Sequence, residues 1–329
     1  MELTPVHFFS HGSTRMLEAE TESGDYWTRC GEEALAHKVK GVIMMGAHWA
    51  CLGDKIEVAT NPTPSKSACP FVNPALYQDW VPQADVATAQ RCIAMLRAEG
   101  FQASANARFE WIHDTFMVLI KMFGDWRTCP PVTIVSMNAR YDPHYHVKVG
   151  AVLRPLRREG YLLVGTGGAI HNLYRNRWAD MLRYRESLGQ EVPPEPWALH
   201  FRQAVEDVVL KNRGPALRKA MVRLMQHPVY RDAQATDDHW MPALFAAGAA
   251  GDWEDEKYAN VLGAETWELT NMCNSQFTFG RYVDNKDEQE KAGTGTASAL
   301  HGLHHMTATG TSTSTGTGTG TGRLGMVSA

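Results

Sequence analysis

The chain has 329 residues, 44% hydrophobic and 21% charged, long enough to bury a sizeable core as one large α/β domain or two small ones. Lys and Arg number 32 against 36 Asp and Glu, a net charge of −4, so nothing marks a nucleic-acid partner or an anionic membrane surface. Six scattered cysteines (Cys30, Cys51, Cys69, Cys92, Cys129, Cys273) form no CxxC, which argues against a disulfide scaffold or a cysteine zinc finger and favours a reducing compartment. Met1 to Pro5 lack the basic-then-apolar layout of a signal peptide, and no apolar run reaches the roughly 20 residues that cross a bilayer. The expectation is a soluble cytoplasmic protein.

In chain order, Val6 to Phe9 reads as a first short strand and Gly41 to Met45 as a second. Asp85 to Glu99 spaces Val86, Ala89, Ile93 and Leu96 three or four apart, an amphipathic helix closed by Gly100. Phe116 to Phe123 is an apolar helix. Val132 to Val135 is a third strand, Pro143 to Arg158 a helix and Tyr161 to Val164 a fourth strand. Trp197 to Lys211 is helical, and Leu217, Met221 and Leu224 continue that character. The strand runs are apolar on both faces, as strands covered by helices on each side require. The pattern gives one α/β layered domain over 1–286, with a mainly parallel or mixed central sheet flanked by helices. Residues 287–329, dominated by Thr, Gly and Ser from Ala308 to Arg323, lack the apolar side chains that offset ordering entropy and read as a disordered tail. His301, His304 and His305 precede that run and read as incidental.

Among the 14 histidines, three follow strands on small-residue turns: Ser10-His11-Gly12-Ser13, Gly46-Ala47-His48-Trp49 and Gly165 through Gly168 to His171. In an open α/β sheet the ligand crevice lies beyond the carboxyl ends of the strands, so distant histidines can meet there. His7, inside the first strand, reads as a hydrogen-bonded core or face residue. His239 lies in Asp237-Asp238-His239-Trp240-Met241-Pro242, and His113 in Trp111-Ile112-His113-Asp114-Thr115. Neutral imidazole is the commonest metal ligand, and an adjacent carboxylate can fix its tautomer. His144 and His146 read as surface or helix-start residues.

These motifs, in this order from about Val6 to Gly251, resemble the class III extradiol ring-cleavage dioxygenases. The likeness is greatest to the DOPA 4,5-dioxygenase branch, related to the catalytic subunit of protocatechuate 4,5-dioxygenase. The resemblance implies His11, His48 and His239 as ligands of a non-haem Fe(II), with zinc possible in the same site, and Asp237 or Asp238 as the alternative third ligand. It implies His171 as acid/base catalyst and His113 as a second catalytic histidine. The context of His113 here is Ile-His-Asp-Thr-Phe where the family usually has Asp-His-Gly-x-Trp. The reaction implied is insertion of O2 into the ring of a DOPA-like or other substituted catechol, giving a yellow muconic-semialdehyde-type product. Trp49 and Trp240 are expected to line the ring pocket. Arg140, Tyr145, Arg175 and Arg177, after the third and fourth strands, are expected to meet a substrate carboxylate. Two other readings stay open: a zinc-dependent hydrolase on the same three histidines, although no HExxH is present, and a non-catalytic ligand-binding relative. Ser10 and Ser13 flank His11, but no G-x-S-x-G elbow supports a serine hydrolase.

Overall fold

The structure is a computed structural model that describes residues 3–283. The tail expected over 287–329 lies outside the described residues. The main sheet has six strands: β1 (Val6–Ser10), β2 (Gly41–Gly46), β3 (Val132–Ile134), β4 (Tyr161–Gly167), β5 (Val261–Glu268) and β6 (Met272–Phe279). Their order is β3-β2-β4-β1-β6-β5. β3, β2, β4 and β1 run parallel, while β6 pairs antiparallel with β1 and with β5. The sheet is therefore mixed, and the three strands expected to end in histidine turns, β2, β4 and β1, are adjacent at its centre. Two small parallel pairs, Ala50–Cys51 with Met137–Asn138 and Lys55–Ala59 with Gln102–Asn106, extend the β3 side.

Alternating strand residues feed two cores. Phe9, Val42, Met44, Leu162 and Val164 pack with α1 (Glu22–Ala36) and α3 (His113–Phe123). Phe8, Ile43, Met45 and Leu163 pack with α2 (Val86–Ala98), α4 (Pro143–Leu153), α5 (Pro196–Lys211), α6 (Gly214–Arg223) and α7 (Met241–Ala250). This explains why the parallel strands are apolar on both faces. Several starts are set by local chemistry. Asp85 accepts from the Thr88 N–H and caps α2, and Asp142 accepts from the Tyr145 N–H ahead of Pro143 at the start of α4. Among the described residues no helix is long and apolar enough to cross a membrane.

The β5–β6 hairpin was not anticipated. β6 reads Met-Cys-Asn-Ser-Gln-Phe-Thr-Phe, too polar for a core strand, yet most of it is buried. Gln276, in its middle, is satisfied inside: Gln276 Nε2 donates to Ser10 O (2.9 Å), and Gln276 Oε1 accepts from Trp27 Nε1 (2.8 Å). His7 is buried, with Nδ1 2.8 Å from Thr278 Oγ1, a core residue as read. His146, read as surface or helix-start, sits in the first turn of α4 but is fully buried. Its Nε2 accepts from the Asn138 N–H (3.1 Å), and its Nδ1 lies 2.7 Å from Asp142 O. That pairing ties α4 to the short strand before it.

Candidate functional site

His11 leaves the end of β1, and its N–H donates to Gly167 O at the end of β4 (3.0 Å). The next residue, Gly12, turns at φ +67°. A side chain there would also strike Glu268 Oε2, 2.4 Å from an added Cβ. Glu268 is fully buried and accepts from the Ser13 N–H (2.8 Å), Ser13 Oγ (2.5 Å) and Asn274 Nδ2 (2.7 Å). The carboxylate therefore pins the turn that carries His11.

His48 follows β2, and its N–H donates to Asp114 Oδ2 (2.9 Å). Asp114 is buried in the first turn of α3, directly after His113. One carboxylate thus fixes the His48 loop to the helix that presents His113. His239 precedes α7, and its carbonyl accepts from the Gly168 N–H (3.0 Å). This close approach depends on Gly167, where an added Cβ would lie 2.1 Å from His239 O. His171 is held by its N–H donating to Ala233 O (2.8 Å). Gln234 Nε2 donates to Gly168 O (2.8 Å) and Ala169 O (3.0 Å), closing that turn.

The imidazoles converge. Ring centroids of His11 and His48 are 5.3 Å apart, His11 and His239 5.2 Å, and His48 and His239 5.0 Å. Each of the three offers a ligand atom, and these atoms lie within 4.8 Å of one another. His113 joins them, 4.7 Å from His48 and 5.9 Å from His11. His171 stacks on His239 with centroids 3.4 Å apart and planes 6° apart. All five rings line one cavity of about 520 Å³.

The donor set suits a cation. His11 Nδ1 and both ring nitrogens of His239 are buried without a hydrogen-bond partner. His239 Nδ1 lies 3.2 Å from Asp238 Oδ1 but without the alignment of a hydrogen bond. Unpaired buried polar groups are costly, and a bound metal would take one ring nitrogen from each of these histidines. Burial, reinforced by the other histidines, drives His11 and His171 well below the usual imidazole range. His48 opens its surface to the cavity yet is enclosed by protein on a larger scale, and burial pushes it down to about 4 against the pull of Asp114. His113 is lowered for the same reason. These rings are neutral at pH 7, as ligation and proton acceptance both require.

The six residues expected at the substrate do not line this cavity. Trp49 stacks on Phe109 (3.7 Å). Trp240 is fully buried, edge-on to Phe8 and Phe201. Arg140 pairs with Asp54, and Arg175 pairs with Asp232 (3.0 Å) beside Trp197. Tyr145 packs edge-on to Phe101. Arg177 is exposed. Trp240, in helical backbone at the start of α7, turns its side chain away from His239 into the core. The cavity wall comes instead from Pro70 and Phe71, from Leu173, Tyr174, Trp178 and Met181, and from Leu269 and Met272. No sequence signal tied these segments to the histidines.

Comparison with known proteins gives the following. The family described as the catalytic LigB subunit of aromatic ring-opening dioxygenase matches residues 5–275. The 4,5-DOPA dioxygenase extradiol of Escherichia coli (strain K12) is 25% identical over 254 residues, 77% of this chain and 86% of that protein. Dioxygenase tasH of Hapsidospora irregularis is 27% identical over 290 residues, covering 79% of this chain and 84% of its own. The 4,5-DOPA dioxygenase extradiol of Portulaca grandiflora is 25% identical over 279 residues, 83% of this chain and 94% of that one. The crystal structure of an uncharacterized protein from Escherichia coli K12 shares the fold, with a TM-score of 0.65 at 23% identity over 84% of this chain and 100% of that one.

Proposed function

The chain belongs to the LigB family of aromatic ring-opening dioxygenases, and from that premise we propose that it is a ferrous-iron enzyme that cleaves substituted catechols with O2. Its class, an extradiol ring-cleaving dioxygenase, rests on the family match and on the DOPA dioxygenases among its relatives. The observation that carries the rest is the meeting of His11, His48 and His239 on one cavity floor, with His113 and His171 beside them.

In this reading His11, His48 and His239 would hold the ion beside the cavity that receives catechol and O2. Ferrous iron held there would supply Lewis acidity toward the catechol and redox activity toward O2, which zinc would not. His171, uncharged at pH 7, takes the proton from a catechol hydroxyl as the substrate binds and returns it later in turnover. Its stacking on His239 fixes the ring and leaves the ring edge free to reach the substrate oxygen. His113, at the start of α3, donates a hydrogen bond toward oxygen in that cavity. The largely apolar walls shelter the reacting groups from bulk water. Both atoms of O2 end in the ring-opened product, which is yellow.

The six cysteines are all unpaired and buried, which suits a reducing cytoplasm. The test is anaerobic reconstitution with Fe(II), then oxygen-electrode and visible-absorbance assays on DOPA, caffeate, protocatechuate, 4-propylcatechol and catechol. O2 uptake matched by a yellow product, and lost when zinc replaces iron, supports the reading. Absence of O2 uptake with all five by the iron-loaded protein overturns it.

A further inference from the structure

The cavity of about 520 Å³ over the histidines falls in the range that takes drug-sized ligands. It is larger than a bare dihydroxybenzene fills, so part of it faces a ring substituent. Beyond the imidazoles its wall is mostly apolar, with Phe71, Leu173, Trp178, Met181, Leu269 and Met272, and its hydroxyls come from Ser13, Thr14, Tyr174 and Thr236. Met181, Leu269 and Met272 form one buried cluster with Trp178 packed against it. That side of the wall is thus a consolidated apolar surface, while Phe71 and Leu173 are exposed. Among the described residues no Lys or Arg lines the cavity, and the one carboxylate that does is Asp238. Of the arginines near lining residues in sequence, Arg175 pairs with Asp232 (3.0 Å), Arg231 with Asp237 (2.6 Å) and Arg15 with Glu18, while Arg177, next to Trp178, is exposed and does not line the cavity. Phe71 also borders a separate depression that carries Arg15 and Arg185.

Resting on the dioxygenase reading, we propose that this cavity selects catechols whose ring substituent is apolar and carries no carboxylate. A carboxylate brought against this wall loses its water and finds no cation, while Asp238 repels it. An alkyl substituent gains about fourfold in affinity for each methylene it buries. The relatives named for DOPA act on a carboxylated catechol. This chain, by its pocket, does not favour one.

Two matched pairs isolate the carboxylate: 4-propylcatechol against 3-(3,4-dihydroxyphenyl)propanoate, and dopamine against DOPA. With Fe(II)-loaded protein, kcat/KM is measured by O2 uptake and Kd by anaerobic calorimetry. The expected result is at least a tenfold preference for the carboxylate-free member of each pair, carried mainly by KM and Kd, with 4-propylcatechol ahead of plain catechol. Leu173→Arg, at a wall position 45% exposed and so tolerant of a longer side chain, should narrow the first gap about tenfold. A carboxylated member equal to or better than its partner overturns the selectivity and leaves the dioxygenase reading standing. Turnover of none of them, with the same preference in Kd, overturns the dioxygenase reading and supports the selectivity. Turnover of none with equal Kd values overturns both.

Discussion

Gly167→Ala tests how the end of β4 and the His239 segment are fitted together. The added Cβ would lie 2.1 Å from His239 O and 3.4 Å from Phe8 Cε2. The nearer atom is backbone, so no side-chain rotation relieves the clash, and the segment must lift from the strand. Lifting it breaks the bond that the same carbonyl accepts from the Gly168 N–H (3.0 Å). Overpacking of this kind costs about 1–3 kcal/mol, and the lost buried hydrogen bond about 1 kcal/mol. Together they predict a loss of about 2–4 kcal/mol. For a domain of this size that lowers Tm by roughly 5–15 °C. Because His239 moves relative to His11 and His48, affinity for Fe(II) should fall roughly 10–100-fold. Circular-dichroism melts and anaerobic Fe(II) titration measure the two effects. A variant that melts within about 2 °C of the parent and binds iron as tightly would refute the argument that this glycine seats the third histidine.

Two other outcomes are expected. His171→Ala should retain iron while kcat falls by about 10²- to 10⁴-fold, as loss of a proton-transfer group does; loss of iron in that variant would move His171 into the ligand set. The metal-free protein should lose stability on acidification. His146 is buried and held near 4 by burial, whereas in the unfolded chain it titrates at 6.5, so between these values only the unfolded state takes the proton. Its contribution is intact above about pH 6.5 and disappears as pH falls toward 4, at about 1.4 kcal/mol per pH unit and about 3 kcal/mol in all. Urea unfolding at pH 7 and pH 5 measures this, and a His146→Gln variant whose pH slope equals that of the parent would contradict it.

The layered fold was legible because parallel strands buried on both faces must be apolar throughout, and Val42 to Met45 and Leu162 to Val164 are. The meeting of His11, His48 and His171 was legible because each follows a parallel strand and those strands proved to be neighbours. What escaped has a common cause, which is that sequence adjacency says little about direction. Trp49 and Trp240 sit next to ring-lining histidines but turn into the cores. The arginines sit near strand ends but are drawn to acids whose positions only the folded chain reveals. The second antiparallel strand, β6, escaped because its buried Gln276 is paid for by hydrogen bonds to Ser10 and Trp27 rather than by apolar contact. Asp114 and Glu268, which anchor the loops of His48 and His11, stand respectively 66 and 257 residues from the histidines they serve.

The central claim is that three imidazoles from separate segments grip one ferrous ion on which O2 consumption depends. Anaerobic Fe(II) titration of the metal-free protein, followed by a single oxygen pulse in the presence of 4-propylcatechol, tests it in one experiment. The account predicts one iron per chain and one O2 consumed per catechol opened, with both lost in His11→Ala, His48→Ala and His239→Ala variants that remain folded. Iron bound at full stoichiometry, or O2 consumed at the parental rate, by any of the three would contradict it.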